Sequence, residues 1–321
     1  MILNILLLVA GLAGLFYGGN WLVRGASNLA LSAGVSVLVI GMTIVALGTS
    51  MPELLVSLQA ALAGKSDLAI GNVIGSNIAN IGLILGATGL ITPLVVQASL
   101  LRREIPIMLL ITAGSFAFAA DGQISRLDGA VLLAGFVAFN LAFYLRARDE
   151  QRSRQDAEPA APSDKISRWR ELAFLVAGIA VLVISSRMMV EGAVNLARMI
   201  GISELVIAIT LVAFGTSLPE LAASLSAAWH KETDLAIGNI VGSNIANLLL
   251  ILGATALVQP IQVNRSEVRL EFLVMFAFAA VLIPCARQQV LNRRLSLVLL
   301  LAYAGFIVYS LASGSAPNLL Q

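Results

Sequence analysis

The chain has 321 residues, 59% of them hydrophobic and 12% charged, with a formal net charge of +2. A water-soluble domain carries about 25% charged residues, so this composition excludes an ordinary soluble fold. The basic residues are spread along the chain, which argues against a nucleic-acid partner. One cysteine, Cys285, excludes an internal disulfide, and one histidine, His230, excludes a multi-histidine metal site.

Apolar stretches near 20 residues long recur from the start, the length that spans hydrocarbon as a helix. In lipid the backbone must bond within itself, so these stretches are expected to be α-helical. The first, near residues 2–23, lacks a basic leader and a cleavage site and reads as a span, not a signal peptide. It is followed by spans near 37–62, 68–91, 104–120 and 127–146. Residues 147–170 are polar, charged and proline-containing, and read as a solvated linker. Five more spans follow near 171–189, 203–229, 236–258, 270–286 and 295–312.

The expected fold class is therefore an all-α polytopic membrane protein of ten transmembrane helices, lying in the bilayer. It divides into a five-helix unit over 1–146, the linker over 147–170 and a second five-helix unit over 171–321. Five is odd, so the second unit enters the membrane in the opposite sense and the two are inverted repeats. Placing the linker in the cytoplasm puts 14 of the 20 Lys and Arg residues inside. That bias predicts an inner-membrane protein with both termini outside.

The halves share more than a span count. Residues 43–90 match residues 210–257 without a gap, 32 of 48 positions being identical at a constant offset of 167. Each copy carries G-T-S-x-P-E and G-S-N-I-A-N within apolar sequence. The first motif places an acid, Glu53 or Glu220, where a membrane span least tolerates one, which marks a functional site. Neither host span contains a Lys or Arg that would make the acid a simple ion pair. Pro52 and Pro219 each free the carbonyl four residues earlier, on Gly48 and Gly215, so the helix is expected to open beside the acid. Such a break is tolerated where it lines a cavity.

The second motif adds Ser76 and Asn80, and Ser243 and Asn247, each pair four residues apart on one helix face. Gly71 with Gly75, and Gly238 with Gly242, have the spacing that lets helices approach closely. They are expected to bring the third span's oxygens to the second span's glutamate. Asn77 and Asn244 serve equally as ligands or as inter-helix bonds, and Asn72 and Asn239 read as structural. The summed inventory is two carboxylates, hydroxyls, amides and freed carbonyls. These are hard oxygen ligands suited to Na⁺, Ca²⁺ or Mg²⁺. Two glutamates supply a charge that one Ca²⁺ neutralises, so exchange against more than two Na⁺ would be electrogenic.

Both copies resemble the α-repeats of the calcium/cation antiporter superfamily, in its prokaryotic sodium/calcium exchanger branch. The resemblance covers the ten-span layout and is most specific in the repeats. It implies Ca²⁺ held by Glu53 and Glu220 with the carbonyls of Thr49 and Thr216. It implies Na⁺ sites using Ser50, Ser76, Ser217, Ser243 and carbonyls near Ala46 and Ala213, with Asn80 lining the centre. Some exchangers of this type carry an aspartate where this chain has Asn247, which leaves the role of that residue and any K⁺ or H⁺ coupling open. G-S-N in both halves favours Na⁺ over the proton-coupled branch.

The leading reading is thus a secondary-active antiporter with Ca²⁺ and Na⁺ as substrates, no cofactor and no enzymatic activity. Proton-coupled Ca²⁺ exchange is the alternative. A channel fits deep multi-oxygen ligation poorly, and an enzyme would need a nucleophile–base pair that is missing. Asp67 and Asp234 read as helix N-caps, Arg187 and Glu191 as an interfacial ion pair, His230 as solvated and Cys285 as a packing residue.

Overall fold

The computed structural model describes residues 1–157, 167–199, 213–283 and 289–312. The first half runs through α1 (Ile2–Ala33), α2 (Val37–Thr49), α3 (Met51–Leu62) and α4 (Ser66–Ile91). It continues through the short strand β1 (Leu94–Val95), α5 (Leu100–Asp121), β2 (Gln123–Ile124) and α6 (Arg126–Ala157). The second half comprises α7 (Arg168–Met199), α8 (Ala213–Thr216), α9 (Leu218–Trp229) and α10 (Thr233–Val258). After it come β3 (Ile261–Gln262), α11 (Arg265–Ala280), β4 (Val290–Leu291) and α12 (Arg293–Ala312).

Among the described residues seven helices are long and apolar enough to cross a membrane, and the bent pair α2–α3 makes an eighth. The expected span near 203–229 is represented by α8 and α9, its start lying outside the described residues. That near 270–286 is represented by α11, of 16 residues. The polar segment after residue 146 begins as helix, because α6 continues to Ala157.

The layering follows hydropathy. Most of α4 and α10 is buried, whereas α1, α6, α7 and α12 turn most of their surface outward. Leu6, Val9, Phe16, Leu110, Leu141, Ile184 and Leu301 are exposed on that outer surface, as a lipid-facing belt requires. The main apolar core joins Ile70, Ile74 and Ile78 of α4 to Ile237, Ile240 and Ile245 of α10.

Glycines set the close contacts between the halves. A methyl group at Gly238 would lie 2.9 Å from the carbonyl oxygen of Leu38, and one at Gly242 only 2.5 Å from that of Met42. These glycines therefore seat α10 against α2 of the opposite repeat, not against the helix of their own half as the spacing predicted. The outer helices α1 and α7 run antiparallel along each other. Gly25 faces Glu171 at one end, and Gly192 faces Asn4 at the other. Each has 32 residues, about 48 Å at 1.5 Å per residue, longer than the ~30 Å hydrocarbon core. One end of the pair is clamped by Glu171, which accepts from Asn28 Nδ2 at 3.0 Å and lies 2.9 Å from Arg170 and 3.8 Å from Arg24. The Arg24 guanidinium also sits 4.3 Å above the Phe174 ring.

Two short antiparallel ribbons join the repeats. Leu94 pairs with Leu291 and Val95 with Val290, while Gln123 pairs with Gln262 and Ile124 with Ile261. The 167-residue offset relates β1 to β3 and β2 to β4, so each ribbon takes one strand from each half. The 22-residue α5 separates β1 from β2, placing the ribbons at opposite ends of a membrane-length helix.

Three sequence expectations resolve here. Helices α4 and α10 start at Ser66 and Thr233, so Asp67 and Asp234 lie in the first turn and not at the cap. There they complement the helix dipole, and Asp234 accepts from Gln97 Nε2 at 2.6 Å. Arg187 and Glu191 are both exposed and form no ion pair with each other. His230 is exposed, as expected. Cys285 lies outside the described residues.

Candidate functional site

The second span breaks where the motif predicted. The helix stops at Thr49, Ser50 takes φ −81° and ψ 6°, and α3 restarts at Met51 with Pro52 in its first turn. The axes of α2 and α3 differ by 43°. The second copy does the same, with Ser217 at φ −87° and ψ 4° between α8 and α9, and Pro219 in the first turn. Each break places its glutamate one residue beyond the proline, at a helix N-terminus whose dipole favours negative charge.

Glu53 and Glu220 are almost wholly buried, each 1% exposed. Their hydrogen bonds cross between repeats. Ser50 Oγ donates to Glu220 Oε1 at 2.9 Å, and Ser217 Oγ donates to Glu53 Oε1 at 3.2 Å. The other oxygen of each carboxylate, Oε2, is buried with no hydrogen-bond partner among the described residues. Neither carboxylate forms an ion pair with a described Lys or Arg.

A second tier braces the breaks. Asn72 Nδ2 donates to Ser57 Oγ at 2.8 Å and to the Glu53 carbonyl at 3.1 Å. Its counterpart Asn239 donates to Ser224 Oγ at 3.0 Å and to the Glu220 carbonyl at 3.4 Å. Thr49 Oγ1 lies 3.2 Å from Asn239 Oδ1 and also donates to the Val45 carbonyl at 3.1 Å. Asn72 and Asn239 thus each tie a helix break to a serine of the same repeat. Their partners Ser57 and Ser224 were missed, although both are duplicated one helical turn after the glutamates.

The third layer sits where α4 and α10 loosen into π-helical turns over Asn80–Leu85 and Asn247–Ile251. Such turns interrupt the α-helical ladder and recur at functional sites. Asn80 and Asn247 each open one, and both are buried with Oδ1 lacking a hydrogen-bond partner among the described residues. Here the symmetry lapses. Asn80 Nδ2 donates to Asn244 Oδ1 at 2.9 Å, whereas Asn77 turns back to the Val73 carbonyl at 2.7 Å. Ser76 and Ser243 are buried alongside, and Ser243 Oγ has no hydrogen-bond partner among the described residues.

The remaining expected ligands are backbone. The Ala46 carbonyl accepts from Ser50 N–H at 3.1 Å and lies 3.4 Å from Thr49 Oγ1, and Ala213 and Thr216 bound the four-residue turn α8. The proline-freed carbonyl of Gly215 is met by Ser186 Oγ of α7 at 2.6 Å.

An unpaired buried polar atom costs about 1–3 kcal/mol, more when charged. The two carboxylates, two amides and Ser243 each carry such an atom, all of them hard oxygens of the kind that bind Na⁺ or Ca²⁺. No group of three or more His, Cys, Asp or Glu side chains occurs among the described residues, so the donors beyond the two acids are neutral oxygens.

The family model for the sodium/calcium exchanger protein matches residues 3–145 and 171–312. The inner membrane protein YrbG of Escherichia coli is 41% identical over 279 residues, covering 86% of each chain. The sodium/calcium exchanger MaX1 of Methanosarcina acetivorans is 33% identical over 341 aligned residues, covering 95% of this chain and 97% of that one. The solved structure of the sodium-calcium exchanger NCX_Mj superposes with a TM-score of 0.84 at 32% identity, covering 98% of this chain and 99% of that one. On these matches the chain is a multi-pass membrane transporter, not an enzyme, and belongs to the sodium/calcium exchanger family of the calcium/cation antiporter superfamily.

Proposed function

We propose that this protein exchanges Na⁺ for Ca²⁺ across the inner membrane by alternating access to one central site. The observation that carries this reading is the reciprocal pairing of Ser50 with Glu220 and Ser217 with Glu53, which leaves one oxygen of each carboxylate buried and unpartnered. Glu53 and Glu220, with the carbonyls of Thr49 and Thr216, hold Ca²⁺. Na⁺ takes the hydroxyls of Ser50, Ser76, Ser217 and Ser243 with the carbonyls of Ala46 and Ala213, and Asn80 and Asn247 line the centre. The exchanger names of the Methanosarcina relative and the structural neighbour support both ions as substrates.

With no aspartate at position 247, the site carries two formal negative charges, which Ca²⁺ neutralises. Exchange against three or more Na⁺ then moves net charge. The five-span parity of each half and the distribution of Lys and Arg support termini outside and a cytoplasmic linker.

The test is ⁴⁵Ca²⁺ uptake into proteoliposomes loaded with Na⁺ or with choline at fixed pH, with an imposed pH gradient as a parallel arm. Uptake driven by the outward Na⁺ gradient and raised by an inside-positive potential is expected. Uptake that follows only the pH gradient would assign proton coupling instead.

A further inference from the structure

The outer helices α1 and α7 are related by the 167-residue offset, Gly11 matching Gly178, Gly25 matching Gly192 and Asn28 matching Asn195. In a symmetric arrangement each would meet the break of one repeat in the same way. They do not. A Cβ at Gly48 would lie 2.5 Å from Ile179 Cδ1, and one at Gly215 would overlap Val190, so among the described residues α7, and not α1, packs on the glycine of both breaks. These contacts span about 16 Å of α7 at 1.5 Å per residue. Helix α1 instead meets α9 further along, where Gly19 faces Ala222 and Ser226. Leu12, the counterpart of Ile179, is exposed.

The pair α1–α7 therefore occupies one of two arrangements that the inverted repeats permit. In the mirrored one, α1 would cover both breaks through Leu12 and Val23, and α7 would move to Leu55 and Gln59 of α3. The two arrangements would balance if the halves were chemically identical; they are not, and one of their differences lies at the helix break itself. Ser186 donates to the Gly215 carbonyl that Pro219 leaves without its helical partner, and this bond is buried. Its counterpart is Gly19, which has no hydroxyl to offer Gly48 in the mirrored arrangement.

We propose that Ser186 is a positioning residue that weights the equilibrium between the two access states. Its hydroxyl caps the second helix break in the arrangement described here and has no equivalent in the mirrored one. The proposal rests on the alternating-access reading above. The apparent affinity at each face is the intrinsic affinity scaled by the fraction of protein open to that face. Shifting the equilibrium by a given factor therefore changes the ratio of the two apparent KM values by the same factor.

The experiment measures the apparent KM for Ca²⁺ from each face, in right-side-out and inside-out vesicles, for the parent, Ser186→Ala and Ser186→Thr. The parent must first show exchange; failure there would overturn the function and not this inference. Losing one neutral buried hydrogen bond predicts that Ser186→Ala changes the KM ratio between faces by roughly two- to tenfold. Ser186→Thr, which keeps the hydroxyl, stays near the parent ratio. An Ser186→Ala protein whose two KM values move together, or do not move, overturns the proposal, as does a Thr variant that behaves like Ala.

Discussion

Ser50 and Glu220 stand 170 positions apart in sequence and 2.9 Å apart in the fold, the serine of one repeat holding the acid of the other. Ser217 returns the contact to Glu53 at 3.2 Å. Neither half-site is complete alone, because each carboxylate is oriented by a hydroxyl borrowed from the opposite half. The consequences for transport can be measured.

In the proposed site, replacing either glutamate removes half the charge that would face a divalent ion. Glu53→Gln and Glu220→Gln are each expected to reduce Ca²⁺ uptake in proteoliposomes by roughly 100-fold or more, since affinity in oxygen sites tracks ligand charge. Wild-type uptake by either variant would sink the two-glutamate site.

The serine contacts are bonds to charged groups, worth about 1.5–3 kcal/mol each. Ser50→Ala and Ser217→Ala should each raise the KM for Ca²⁺ roughly tenfold or more by that measure. Double-mutant cycles should couple Ser50 to Glu220 and Ser217 to Glu53. Coupling confined to Ser50–Glu53 and Ser217–Glu220 would contradict the crossed arrangement.

The seating of α10 on α2 depends on the absence of a side chain at Gly242. Gly242→Ala should cost about 1–3 kcal/mol, as overpacking does, read as a lower melting temperature in detergent. Gly305 has nothing within 4 Å among the described residues. Gly305→Ala should be neutral or stabilising by up to about 1 kcal/mol through helix propensity.

The asparagine layer predicts unequal effects from equivalent positions. Asn244→Ala removes the acceptor that fixes Asn80 and should raise the KM for Ca²⁺ several-fold, in keeping with a buried bond worth about 0.5–1.5 kcal/mol. Asn77→Ala only frees the Val73 carbonyl and should have a smaller effect. Equal effects would show that the observed pairing does not matter to binding.

Much of this site was legible because lipid makes certain residues conspicuous. A proline followed by a glutamate inside an apolar run stands out, and its repetition located both helix breaks and the residues around them. What stayed hidden depended on how the halves meet. The offset identifies equivalent positions but not that Ser50 serves Glu220, nor that Gly242 packs on the other repeat's Met42. The π-helical turns at Asn80 and Asn247 have no composition of their own. Ser186 escaped because the comparison of repeats finds shared residues, and its counterpart is a glycine.

The two ribbons bear on how the molecule keeps its register. Each carries one strand from either half, and they lie at opposite ends of α5. The halves are thus keyed together by backbone pairing at both ends, independently of the polar segment that connects them in sequence. The covalent link sets the order of synthesis, while the keys set the alignment. A chain cut within residues 158–166 would retain every described contact by which one half recognises the other.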